Sequence, residues 1–116
     1  MQVAEALRQI HEEGLAAVIA RHAEMAVTVT ERANQLGLLP QCPSLVRRAT
    51  TVTALGLPPS RPPGRVREGL AAHGILVAGA LEHFAGSAFR IGHMGDIRPA
   101  DVARTMDALA DVFAAP

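Results

Sequence analysis

The chain has 116 residues, 49% of them apolar, which is enough for one domain with its own core. Eleven arginines balance eleven acids, so it lacks the positive surplus that nucleic acid or an anionic membrane surface would demand. Its three aromatics are all phenylalanine, which offers bases no stacking platform, and there is no lysine.

Positions 2–36 read as one long helix. Val3, Leu7, Ile10, Gly14, Val18, Arg21, Met25, Thr28, Arg32 and Leu36 recur at alternating intervals of three and four, flanked by Ala6, Ala17, Val29 and Ala33. Gly37 suits the position after the helix, because glycine takes a positive φ without steric cost. Unbroken, this helix would run roughly 50 Å. A domain of this size does not need that length, so part of the helix should lie against something else. Positions 38–49 hold Pro40, Cys42-Pro43 and Arg47-Arg48 and read as a surface connection.

Positions 50–57 are rich in Thr, Val and Leu and stop at Pro58-Pro59, the pattern of a strand. Pro63 then stands where a helix favours its first residue, with Val66 and Leu70 as its apolar pair and Gly74 as its stop. The continuous apolar run 75–80 predicts a buried strand, 81–87 a loop, and 88–92 a further strand. Pro99 opens a last helix with Val102, Met106, Leu109 and Phe113 on one face. The order predicts an α+β fold: a long N-terminal helix (1–37), then a small, largely antiparallel sheet with helices packed on one side (38–116), one domain in all.

No targeting segment is legible. Glu5, Glu12 and Glu13 interrupt any apolar signal region, no run approaches about 20 apolar residues, and Ala114-Ala115-Pro116 is not a peroxisomal address. The lone Cys42 allows no internal disulfide and fits a reducing compartment, so a cytoplasmic location is the expectation.

The stretch Phe89-Arg90-Ile91-Gly92-His93-Met94-Gly95 places a permanent charge inside a short apolar strand. Taken with Ala6-Leu-Arg-Gln-Ile-His-Glu-Glu-Gly-Leu15, Thr51-Val-Thr-Ala-Leu55, His73-Gly-Ile-Leu-Val-Ala-Gly79 and Pro99-Ala-Asp-Val102, it resembles the C-terminal small domain of class V pyridoxal-phosphate aminotransferases. The alanine–glyoxylate and serine–pyruvate type is the nearest in look. The resemblance implies that Arg90 binds the substrate α-carboxylate, as the arginine of the family's Arg-Ile-Gly motif does. A planar guanidinium suits that task, since it grips a carboxylate through two parallel charge-assisted hydrogen bonds.

It also implies that the cofactor, pyridoxal 5′-phosphate, is held by a large domain whose lysine binds it covalently. Without a lysine, this chain would bind no cofactor covalently and carry no catalytic residue of its own. The long helix would be the element joining the two domains, which places Met1 in mid-course of a larger enzyme or of a truncated gene. The partners implied are an amino acid and a 2-oxo acid, with alanine or serine donating to glyoxylate or another 2-oxo acid, and a second copy of the chain in a homodimer. Departures from the family pattern are Ala80-Leu81-Glu82-His83 where a second glycine is usual, Gly86-Ser87 without its following lysine, Arg47-Arg48-Ala49 before the first strand, and Arg98 at a helix N-cap.

Blander readings stand beside these. Arg90 could pair with Glu82 or Asp96. His11 and His22 lie about three turns apart on one helix and His73, His83 and His93 fall in different elements, so no metal site is expected. His93 could line a substrate pocket or be a solvated turn residue. Cys42 reads as a bystander thiol, and Arg61, Arg65 and Arg67 as a solvated turn. As a whole, the chain could instead be a non-catalytic module that self-associates through helix 2–36.

Overall fold

The computed structural model describes residues 2–42 and 49–115. Pro43 and Arg47-Arg48, part of the expected surface connection, lie outside the described residues.

The expected long helix is two helices, α1 (Val3–Glu13) and α2 (Leu15–Gln35), separated at Gly14. Gly14 has φ 93° and ψ 131°, a conformation in which an L side chain is strained. The hydrogen-bond chain is nevertheless kept on both sides, from the Gly14 N–H to Ile10 O and from the Val18 N–H to Gly14 O. The sequence pattern hid this break because glycine fits the apolar row without interrupting its period. On α2 the buried face is His22, Met25, Val29 and Ala33, and α1 buries no residue. Gly37 closes α2 with φ 79°, as its position predicts.

The sheet is four-stranded, in the order β1 (Leu39–Pro40), β2 (Val52–Gly56), β4 (Ala88–Gly92), β3 (Ala78–Gly79), and every pairing is antiparallel. β1 falls within what the sequence suggested was a plain connection. The central pair is β2 and β4, with Leu55 opposite Phe89 and Thr53 opposite Ile91. These four side chains point to one face and are buried. Helices α2, α3 (Pro63–Ala72) and α4 (Pro99–Ala114) cover that face with Met25, Val29, Val66, Leu70, Met106 and Leu109. Both later helices begin at the prolines that predicted them.

The run 75–80 is not a buried strand. Only Ala78 and Gly79 pair, on the sheet edge, and burial alternates: Ile75 and Val77 pack against the core while Leu76 is 89% exposed. An edge strand with helices on one side hides only every second residue, so a continuous apolar run need not mean burial on both faces. Residues 82–84 of the expected loop form one turn of 3₁₀ helix.

Arg61 is not a solvated turn residue. Its Nη2 donates to Phe113 O at 2.6 Å and its Nη1 to Val112 O at 3.3 Å, and the guanidinium lies 5.0 Å from the centre of the Phe113 ring. It thereby satisfies the terminal carbonyls of α4, where a cation also complements the helix dipole. Arg61→Ala is expected to cost about 1–2 kcal/mol and lower the melting temperature by several degrees. A calorimetric melt unchanged within a degree would remove this role.

Candidate functional site

Because side chains on a strand alternate, Arg90 faces away from the helices while its neighbours Phe89 and Ile91 enter the core. It stands in the inner strand β4 with Ala54 of β2 on one side and Ala78 of β3 on the other. Two methyl groups leave the half-buried guanidinium room on the uncovered face of the sheet. Nε donates to Gly79 O at 2.8 Å, which fixes the plane of the group. Among the described residues, no carboxylate pairs with Arg90. Asp96, one of the acids expected beside it, bonds to Arg98 instead, at 2.7 Å. The terminal nitrogens therefore keep the fork that a ligand carboxylate would engage.

His93 does not line that face. It lies three residues from Arg90, an odd step that turns it to the other side, and it is fully buried. Its backbone N–H reaches Thr51 O at 2.8 Å, extending the β2–β4 ladder, and its Nε2 shares a 2.8 Å hydrogen bond with Thr53 Oγ1. Nδ1 has no partner among the described residues. Burial pushes the imidazole pKa below its ordinary 6.5, opposed by backbone groups at Thr50 and His93, with a small further lowering from His22. The sign follows directly. Below pH 6.5 the unfolded chain takes up this proton before the folded one does, so stability is lost as pH falls through 6.5 towards the folded pKa, by at most about 1.4 kcal/mol per pH unit. Chemical denaturation between pH 8 and 5 should show this slope, and His93→Gln should flatten it. An equal slope in both proteins would assign the titration elsewhere.

The remaining expected groups do not converge. His11, His73 and His83 are exposed, and His22 is tied to Val18 O through Nδ1 at 2.7 Å. No cluster of three or more His, Cys, Asp or Glu suited to a metal ion occurs among the described residues. Cys42 is exposed. Arg98 does cap α4, but Asp101 supplies the acceptor, its carboxylate taking the Arg98 N–H at 2.8 Å. Among the described residues, no helix is long and apolar enough to cross a membrane.

A second charged cluster was not foreseen. Glu13 at the end of α1 is held by Arg21 of α2 through Nε at 2.8 Å and Nη2 at 3.0 Å, and Arg98 Nη1 approaches it at 3.5 Å. The eight-residue spacing of Glu13 and Arg21 gives no contact along a straight helix, so only the break at Gly14 could have revealed the pair.

The solved structures that share this fold include several aminotransferases. The chain is similar to alanine–glyoxylate aminotransferase from Nostoc sp., with 34% identity, a TM-score of 0.86, and coverage of 93% of this chain and 29% of that enzyme. Ureidoglycine–glyoxylate aminotransferase from Bacillus subtilis matches with 28% identity and a TM-score of 0.86, over 95% of this chain and 29% of that one. For pyridoxamine–pyruvate aminotransferase from Mesorhizobium loti the identity is 26% and the TM-score 0.85, over 93% and 28% of the two chains. The chain thus spans under a third of the length of these enzymes. No family model and no curated protein matches its sequence.

Proposed function

We propose that this chain is a small domain of the class V aminotransferase kind and that it supplies the substrate-carboxylate anchor of a pyridoxal-phosphate transaminase through Arg90, a reading supported by its likeness to the Nostoc enzyme. The observation that carries this reading is a guanidinium on the open face of the sheet that no described carboxylate pairs with, oriented by Gly79 O and flanked by two alanines. A two-point grip would fix the amino acid or 2-oxo acid in orientation as well as position, which a reaction at its α-carbon requires. Alanine or serine would be the donor and glyoxylate or another 2-oxo acid the acceptor, a pairing supported by the alanine and glyoxylate in the name of the Nostoc enzyme.

The residues present do not fit the cofactor itself. There is no lysine to bind it. The connections leading into α3 and α4 carry proline and ion-paired arginine, not a glycine-rich cradle for phosphate. Cofactor and reaction chemistry therefore belong to residues outside these 116, and no step is assigned to this chain beyond gripping the carboxylate. The exposed Val3, Leu7, Leu15 and Ile19 favour cover by such a large domain or by a second copy. The same exposure is what a free-standing association module would display.

A graft separates the two readings. This chain would replace the corresponding small domain of the Nostoc enzyme, and transamination of alanine with glyoxylate would be followed. The anchoring role predicts measurable turnover in the hybrid. A hybrid that folds and binds the cofactor yet turns over no amino acid would overturn it.

A further inference from the structure

Helix α1 is attached to the domain in an unusual way. It buries none of its residues, and a cavity of about 260 Å³ opens between Ala6, Gln9 and Ile10 of α1, Val18 and His22 of α2 and the 95–98 loop. Apolar packing therefore does little to hold it. Among the described residues, what holds it is one carboxylate at its last residue. Glu13 grips the Arg21 guanidinium with both oxygens, and that guanidinium also donates to Gly95 O at 3.0 Å and to Ile97 O at 2.5 Å. Arg98 approaches the same carboxylate from the loop side. The cluster is partly shielded, with side-chain exposures of 11% for Arg21 and 22% for Glu13, so it is screened less than an open surface pair. Arg21 keeps the Glu13 carboxyl below the ordinary carboxylate range, so the anchor is charged at neutral pH.

We propose that α1 is a strap hinged at Gly14 and fastened by Glu13 across the 95–98 loop, so that breaking this one contact frees both the strap and the loop. The hinge is apt, since Gly14 alone departs from helical geometry and nothing lies within 4 Å of where its Cβ would be. The loop begins three residues after the β4 strand that carries Arg90 ends. Strap and loop would then order and disorder together, as one low-stability unit beside a firm core. This inference rests on the contacts of Glu13 and Gly14 and does not need the transaminase reading.

Hydrogen exchange on the full chain tests it. In Glu13→Gln, amides 3–13 and 95–98 should exchange at least tenfold faster, while those of β4, α4 and the second half of α2 stay within twofold. Gly14→Ala leaves every fastening side chain in place and strains only the hinge, so it should speed exchange in the same two segments. The proposal is overturned if α1 exchange stays within twofold in either variant, or if only α1 responds and the loop does not. A uniform rise in all segments, or failure of Glu13→Gln to fold, would overturn it too, since a fastening can be cut without melting the core.

Discussion

Arg90→Ala in the grafted enzyme is expected to weaken binding of the amino acid by roughly 30-fold to several thousand-fold, the 2–5 kcal/mol typical of removing one partner of a hydrogen-bonded charge pair. Its melting temperature should barely move. The side chain is half-buried on the uncovered face, has Ala54 and Ala78 as cross-strand neighbours, and gives up one hydrogen bond to Gly79 O. Arg90→Lys should recover only part of the affinity, because an ammonium keeps the charge but loses the planar fork. Titration of the hybrid with alanine reads both variants. Unchanged affinity in Arg90→Ala would return the residue to the surface chemistry of the sheet and leave the association-module reading standing.

One residue earlier the expectation inverts. Phe89 is fully buried, the largest such side chain in the core, opposite Leu55 on β2 and Gly79 on β3. Phe89→Ala removes its ring from the layer between sheet and helices and leaves a cavity that the neighbours cannot close, at a cost of about 3–5 kcal/mol. Domains of this size hold together by about 5–15 kcal/mol in all. The variant is therefore expected to lose much of its cooperative melt by 37 °C. A melting point within a few degrees of the parent would mean that the core repacks around the gap. Under the proposed function, adjacent positions on one strand would divide the work, Arg90 serving the ligand and Phe89 the fold.

Much of the fold is legible in the sequence. Pro63 and Pro99 mark helix starts because a ring-locked φ and a missing N–H suit only the first turn, and both helices begin there. The 88–92 strand and the stripe of the last helix emerge with their predicted members. Arg90 stands out in the sequence as a charge within an apolar run, and in the fold its Nε donates to Gly79 O while no described carboxylate pairs with it, which is the ground for the proposed anchoring role.

What escaped the sequence lies beyond local periodicity. The half-exposed edge at Leu76 and the cap by Arg61 depend on which distant segment lies alongside, and the grip of Arg21 on Glu13 follows from a break at Gly14 that leaves the apolar period intact. Local periodicity carries no record of that. His93 is the exception, because an odd step from Arg90 on an extended backbone already places the two on opposite faces.

The ladder at the centre of the sheet has one more consequence. It joins positions 52–56 to positions 88–92, with α3 and the edge strand in between, so its first contact must close a long loop before any hydrogen bond compensates. Helices α2 and α4 draw on local contacts and can form early, whereas the β2–β4 register must wait for a distant encounter. Refolding after a denaturant jump should therefore proceed on the millisecond-to-second scale of non-local topologies, not at the speed of a helical bundle. The strand that presents Arg90 would be among the last elements to find its place.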